Sequence, residues 1–274
     1  MSDRVSIEIS EGIADVRLNR PEKMNALDGA MFQALYEAGR SLSDDPDVRV
    51  VVLSGEGRCF CAGLDTSNFA AIANGGGGGG GRSLFDRPED SAANYAQQPG
   101  WIWQNLPVPV LAAVHGVAFG GGLQVALGAD IRFVAPDARM SVMEIKWGLV
   151  PDMSGTQTLR NLVRLDVAKD LTFTGRIVSG VEAGEIGLAT HVTEQPREAA
   201  FQMAREIASK SPRAIRSCKE LLNESVVTSY QEGLELEAQL QAALIGKPEQ
   251  IETVKAQLEG RPADYAPHRP SDDK

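Results

Sequence analysis

The sequence predicts a mixed α/β (α+β) fold, because strand and helix patterns alternate along most of the chain and only helix patterns follow. Apolar and polar residues alternate on both sides of Glu11-Gly12, which is typical of a β-hairpin. The apolar runs at 48–53, which only Arg49 interrupts, and at 110–114 are typical of strands that are mostly or fully buried. With 274 residues, of which 43% are hydrophobic, the chain can bury one large core.

Helix patterns connect these strands. Asp28 is a suitable N-cap for a helix whose apolar residues recur at helical spacing, namely Met31, Leu35, Ala38 and Leu42. A further helix is expected to open at about Leu123, and a third buried strand is expected at 131–135. We therefore expect a core of alternating strands and helices at 1–198 and a purely helical region at 199–274.

The helical region is predicted to contain four helices, at 200–209, 212–225, 229–244 and 249–259. The last two carry apolar stripes, with residues such as Leu234 and Leu258, and no sheet is left to cover them. Such stripes suit packing on the core or on another subunit.

A run of seven glycines at 75–81 interrupts the core pattern. Ordering such a run costs maximal backbone entropy and provides no side chains to pack, so we expect residues 67–99 to form a mobile surface loop. The run is not expected to bind phosphate, because no Lys-Ser/Thr pair follows it and no strand directly precedes it.

Composition and charge argue against several kinds of partner. A net charge of −10 and a pI near 4.9 do not fit a surface that coats nucleic acid or a polybasic membrane patch. No apolar stretch reaches the roughly 18 residues that span a bilayer, and the first residues do not resemble a signal peptide. The cysteines and histidines share no metal-ligand spacing, so we expect reduced thiols, no metal site and a cytoplasmic protein.

Two glycine-containing turns follow buried strands, and each can expose a backbone N–H. They lie at 61–65 and at 120–123. Glycine lets the backbone approach a ligand closely, and the second turn also opens a helix, whose first N–H groups have no internal partner. Two such donors that converge on one oxygen form an oxyanion hole. Tight turns that serve packing alone would explain the same glycines.

Two carboxylates, Glu144 and Asp152, flank the mostly apolar segment 145–151. Carboxyl groups among apolar residues tend to have raised pKa values, which suits general acid–base catalysis near neutral pH. The other interpretation of each residue is a solvated loop carboxylate, because such side chains are usually exposed.

Taken in order, these features resemble the crotonase (enoyl-CoA hydratase/isomerase) superfamily along nearly the whole chain. The matching segments are Leu18-Asn19-Arg20-Pro21 through Asn25-Ala26-Leu27, Phe60 through Asp65, Ala112 through Gly122, Gly148 through Pro151, Gly155-Thr156-Gln157, Thr174-Gly175-Arg176 and Pro212-Arg213-Ala214-Ile215. The resemblance implies a spiral of ββα units and a C-terminal helical region that forms homotrimers, often paired as dimers of trimers. It also implies an acyl-CoA thioester substrate, with no cofactor besides the CoA of that substrate.

Carried over by position, the resemblance places the two oxyanion donors at the N–H groups of Leu64 and Gly121. The carbonyl of Ala62 would contact the CoA adenine. The residues implied for the CoA-binding turns are Ala62, Gly63, Asp65 and Gly120. The candidate catalytic set is Leu64, Gly121, Gln124, Glu144 and Asp152.

The chain departs from the usual hydratase pattern at Gln124, where those enzymes carry the first of two glutamates that hold the attacking water. An amide cannot act as a general base, although it can orient water or substrate, or cap its own helix. Asp152 stands where hydratases usually have glycine and resembles an acid of dienoyl-CoA isomerases. Because moving a proton needs only a base that becomes an acid, we expect double-bond isomerisation over hydration, in fatty-acid or related acyl-CoA metabolism.

Three other functions stay open at this point. They are an enoyl-CoA hydratase, a hydrolase or dehalogenase that uses Asp152 as its nucleophile, and a non-catalytic acyl-CoA-binding or RNA-binding relative. Net acidity and the lack of a basic stripe count against RNA. The presence of both carboxylates counts against a non-catalytic protein.

Overall fold

The structure, a computed structural model, describes residues 3–65 and 85–265. The glycine run at 75–81 and His268 lie outside the described residues, so the mobile loop stays a prediction. Within the described part of the chain, no helix is long and apolar enough to cross a membrane.

Nine strands in the described residues form two sheets. The strands are β1 (Val5–Ser10), β2 (Ile13–Leu18), β3 (Val50–Gly55), β4 (Val110–Val114), β5 (Val117–Phe119), β6 (Ile131–Val134), β7 (Arg139–Ser141), β8 (Val178–Ser179) and β9 (His191–Val192). The larger sheet has the order β1-β2-β3-β4-β6-β9, and the smaller one has the order β5-β7-β8. The predicted hairpin is confirmed, since β1 pairs antiparallel with β2.

Helices surround the sheets. They are α1 (Gly29–Ser43), α2 (Gln98–Asn105), α3 (Gly121–Leu127), α4 (Gly155–Leu162), α5 (Leu165–Thr174), α6 (Gly180–Glu185), α7 (Pro196–Ala208), α8 (Pro212–Glu224), α9 (Tyr230–Leu244) and α10 (Pro248–Glu259), with 3₁₀ turns at Pro21–Lys23 and Glu144–Trp147. Asp28 caps α1 as expected, because its Oδ1 accepts the Met31 N–H at 2.8 Å.

The register of the larger sheet determines where the two glycine-containing turns meet. β3 and β4 are parallel, with Leu53 opposite Ala112, so their carboxyl ends lie at the same edge. The chain after β3 leads into the turn at 61–65, and the chain after β4 leads through β5 into the turn at 120–123. Both turns therefore start from one edge of the sheet.

The core has two parts, one on each face of the larger sheet. The main cluster includes Leu35 on α1 and Leu123 on α3. On the opposite face, Ala200 and Ala204 of α7 pack with Val50 of β3. The first helix of the C-terminal region therefore covers the sheet, whereas α9 has no buried residue in this single chain.

Candidate active site

The two glycine-containing turns are joined by a short parallel bridge. Cys61 N–H donates to the Val117 carbonyl at 3.0 Å, and Phe119 N–H donates to the Cys61 carbonyl at 3.1 Å. A β-carbon at Gly63, whose φ is +89°, would lie 2.5 Å from the Phe119 carbonyl oxygen and 3.8 Å from the Gly121 nitrogen. Glycine is therefore required where the turns approach each other.

Each turn contains a backbone N–H without an acceptor among the described residues. In the first turn, the N–H of Leu27 donates to the Gly63 carbonyl at 2.8 Å and the N–H of Asp65 donates to the Leu27 carbonyl at 3.0 Å, which fixes both neighbours of Leu64. In the second turn, Gly120 N–H donates to a carbonyl of β7, and Gly121 is the first residue of α3. The N–H groups of Leu64 and Gly121 are thus available to an oxyanion.

Asp65 braces the first turn through an ion pair. Its Oδ2 lies 2.6 Å from Arg20 Nη1, and both side chains are 11% exposed. Arg20 also donates to the Ala26 carbonyl at 3.1 Å. The carboxylate of Asp65 is therefore paired with Arg20 within the protein. Asp65 contributes to the implied CoA-binding set by holding the turn in place. Sequence reasoning missed the role of Arg20, although the Asn19-Arg20-Pro21 match pointed to it.

Asn25, which the sequence matched to the family signature without indicating a role, is a second residue that holds the first turn. It is fully buried, and its amide donates to the carbonyls of Glu56, Cys59 and Phe60 at 2.9–3.1 Å. These bonds fix the chain that enters the first turn.

Ala62 lies within the first turn. Its N–H donates to the Met24 carbonyl at 2.9 Å, and its own carbonyl has no donor among the described residues. That carbonyl can accept a bond from a ligand.

Glu144 lies beside the second turn and is 9% exposed. Its Oε1 accepts a hydrogen bond from Gln124 Nε2 at 2.5 Å, and its buried Oε2 has no partner in the described residues. A β-carbon at Gly120 would lie 3.3 Å from Oε1, so glycine keeps this approach open. Burial, and secondarily the charge of Asp152, raises the pKa of Glu144, while the bond from Gln124 lowers it.

Asp152 is the second carboxyl of the site. Solvent reaches its side chain, yet the surrounding protein desolvates the carboxyl enough to raise its pKa. The expected raised pKa values are thus found for both acids. Their cause differs from the expected one for Glu144, because the adjacent apolar side chains point outward: Trp147 is 46% exposed and Val150 is 71% exposed. Gln124 and Gly120, which are distant in sequence, lie against its Oε1.

Gln124 does not cap its own helix. Its side chain is 2% exposed, and its Oε1 accepts the N–H groups of Met153 at 2.8 Å and Gly155 at 2.9 Å. Gly155 is the first residue of α4, so Gln124 caps the start of the following helix. The five candidate catalytic residues are therefore spread over three connected segments: the first turn, α3 with its preceding turn, and the stretch 144–155.

The described residues contain no cluster of three or more His, Cys, Asp or Glu side chains that could hold a metal ion. Cys61 lies within the first turn, where complete burial raises the pKa of its thiol to about 12. A neutral thiol of this kind is a poor nucleophile, so it acts as a packing residue.

Comparisons with known proteins agree with this architecture. The chain matches the family described as enoyl-CoA hydratase/isomerase over residues 8–268. It is 33% identical to mitochondrial methylglutaconyl-CoA hydratase of Mus musculus over 265 residues, 94% of this chain and 81% of that protein. It is 34% identical to mitochondrial enoyl-CoA hydratase domain-containing protein 2 of Homo sapiens over 258 residues, 92% of this chain and 84% of that protein.

A solved structure shares the fold. The crystal structure of an enoyl-CoA hydratase from Bacillus anthracis superposes with a TM-score of 0.83 at 29% identity, covering 96% of this chain and 98% of that chain. The predicted mixed α/β fold and the resemblance to the crotonase superfamily are both confirmed. The chain belongs to the enoyl-CoA hydratase/isomerase family.

Proposed function

We propose that this protein is an enzyme that forms an enolate from an acyl-CoA thioester and moves a proton along the acyl chain, which shifts a carbon–carbon double bond. The observation that carries the proposal is the state of Glu144. One of its carboxyl oxygens is bound by Gln124, and the other is buried beside the glycine turns without a partner in the described residues. A buried carboxyl of raised pKa, near two N–H groups that have no acceptor in the described residues, suits proton abstraction alpha to a thioester.

The reaction balances without any other reactant. The thioester oxygen accepts hydrogen bonds from Leu64 and Gly121, which stabilises the charge that develops on it. Glu144 Oε2 takes a proton from the alpha carbon of a 3-enoyl thioester, and the electron pair of the broken bond moves to the thioester oxygen. When the enolate collapses, the protonated Glu144 returns a proton at the gamma carbon, which leaves a 2-enoyl thioester and restores the Glu144 carboxylate.

Isomerisation is favoured over hydration by the occupied amide of Gln124. Addition of water requires a group that holds the water as well as a base. The Oε1 atom of Gln124 already accepts two N–H groups, and its Nε2 faces Glu144. Asp152 is the remaining candidate to hold a water, and it can equally return the proton.

An enoyl-CoA hydratase is the second candidate. It is favoured by the names of the relatives, which include methylglutaconyl-CoA hydratase and the enoyl-CoA hydratase from Bacillus anthracis. In that case Asp152 would hold the water for Glu144. In both reactions the Ala62 carbonyl would contact the CoA adenine, and the CoA of the substrate would be the sole cofactor.

Incubation with 3-enoyl-CoA and 2-enoyl-CoA thioesters in deuterated water separates the two candidates. We expect faster conversion of the 3-enoyl substrate to its 2-enoyl isomer than hydration of the 2-enoyl substrate, with label at the alpha or gamma carbon. Hydration that clearly exceeds isomerisation would contradict the proposal. An acyl adduct at Asp152, detected by mass spectrometry, would instead indicate nucleophilic catalysis by that residue.

We also propose that the chain assembles as a homotrimer or a dimer of trimers. The single chain leaves many apolar side chains exposed on its C-terminal helices and near Glu144, including Leu222, Leu234, Leu258, Val150 and Phe173. A cavity of about 700 Å³ is also lined by residues of α2, α4, α8 and α9. Analytical ultracentrifugation should give three or six times the chain mass of 29.3 kDa, and a monomer would contradict this assembly.

A further inference from the structure

One buried amide connects the two carboxyl-bearing segments of the site. Gln124 donates from Nε2 to Glu144 Oε1 at 2.5 Å and accepts at Oε1 from the backbone N–H groups of Met153 and Gly155 at 2.8 and 2.9 Å. A carboxylate could accept the two N–H groups but could not donate to Glu144 while ionised. An amide is thus the side chain that can make both kinds of bond.

The turn that Gln124 holds has an unfavourable backbone. Ser154 lies between the two residues whose N–H groups donate to Gln124, and its φ is +68°, in the left-handed region that favours glycine. Such a conformation persists only when surrounding contacts enforce it. A β-carbon at Gly155 would lie 2.6 Å from Gln124 Oε1, so glycine lets the amide reach the turn. Asp152 immediately precedes this turn.

We propose that Gln124 is the positioning residue of the reaction: it fixes one oxygen of Glu144, leaves Oε2 as the proton-carrying atom, and holds the 153–155 turn that places Asp152. This inference rests on the proposed function only in requiring that Glu144 exchanges a proton with an acyl-CoA. It holds for an isomerase or a hydratase.

The matched control is Gln98, another fully buried glutamine. Its Nε2 donates to Ser91 Oγ at 2.7 Å and to the Ala93 carbonyl at 3.0 Å, so it stabilises a different segment. Gln124→Met and Gln98→Met each replace an amide with an apolar side chain of similar length. Both variants lose buried hydrogen bonds, but only the first loses a contact with Glu144.

The test follows exchange of the alpha protons of butyryl-CoA with deuterated water by NMR, as a function of pH. For Gln124→Met we expect an about 10- to 100-fold lower maximal rate, as misplaced catalytic groups typically cause. KM should change less than about threefold, because Gln124 acts on the position of Glu144 and not on the binding of the thioester. The acid limb of its rate profile should move to higher pH, because loss of the hydrogen bond from Gln124 raises the pKa of Glu144. Among the described residues, Asp152 is the charged group that acts on Glu144, and it is unchanged in this variant. Gln98→Met should keep both the rate and the limb. A Gln124→Met profile equal to that of wild type would overturn the inference.

Gln124→Glu provides a second test that does not depend on the stability of the methionine variant. The new carboxyl keeps the acceptor for both backbone N–H groups and would share one proton with Glu144. While it is protonated it can donate as the amide does, so exchange should persist at low pH. When the new carboxyl loses that proton at higher pH, it can no longer donate to Glu144, so the exchange rate should fall in an alkaline limb that wild type lacks. A profile without this limb would overturn the inference. A wild type that neither exchanges butyryl-CoA protons nor converts any enoyl-CoA would overturn the proposed function itself, together with this role.

Discussion

Replacing Glu144 with glutamine is expected to lower turnover by about 100- to 10,000-fold, the range that general acid–base catalysis contributes. The amide is almost isosteric with the carboxyl, so the fold should persist, but Oε2 is lost as a proton acceptor. The bond from Gln124 to Oε1 can be kept, because the new amide oxygen can occupy that position. Steady-state kinetics on the preferred enoyl-CoA, with circular dichroism to verify folding, measures the effect.

Glu185→Gln is the matched control for this variant. Glu185 is an exposed residue of α6 outside the site, so the same change of charge should leave turnover unchanged. A folded Glu144→Gln protein that keeps more than about a tenth of wild-type turnover would show that Glu144 is not the principal base.

Gly121→Val is expected to lower turnover by about 100- to 1,000-fold, as typically follows from loss of one oxyanion donor. The structure gives a steric reason, since even a β-carbon at Gly121 would lie 2.6 Å from Met153 Sδ and 2.9 Å from Leu27 Cδ1. Either the ends of these two side chains or the start of α3 must shift to admit the larger valine. A shift of the helix start carries the Gly121 N–H away from the thioester oxygen. The same kinetic assay measures the result.

Gly29→Val controls for the substitution itself. Gly29 is the first residue of α1, as Gly121 is of α3, but a β-carbon there meets nothing within 4 Å. Turnover of this variant should match wild type. If Gly121→Val folds and turns over as fast as Gly29→Val, the Gly121 N–H is not an oxyanion donor.

Local sequence patterns predicted the elements that carry the site. The hairpin at Glu11-Gly12, the cap at Asp28 and the buried strand at 110–114 depend on alternation, capping and continuous apolar runs within a few residues of chain. The two glycine turns were predicted because they follow such strands. Parallel pairing of β3 with β4 then brings them together.

The contacts that define the chemistry could not be predicted in this way, because they join distant parts of the chain. The bond from Met153 to Gln124 spans 29 residues, and the ion pair from Arg20 to Asp65 spans 45. Gln124 was expected to orient water or cap its own helix, and its partners in the structure depend on where α4 begins. Likewise, the residues that lie against Glu144 Oε1 belong to α3 and the second turn and not to its apolar sequence neighbours.

The most direct test of this account is a crystal structure of the protein with acetoacetyl-CoA, a thioester that ionises to a stable enolate. We expect the thioester oxygen to lie about 2.7–3.1 Å from the backbone nitrogens of Leu64 and Gly121, the distances typical of an oxyanion hole. Glu144 Oε2 should face the alpha carbon while Oε1 keeps its bond to Gln124. A thioester oxygen bound away from both nitrogens, or an alpha carbon that faces no carboxyl oxygen of Glu144, would contradict it.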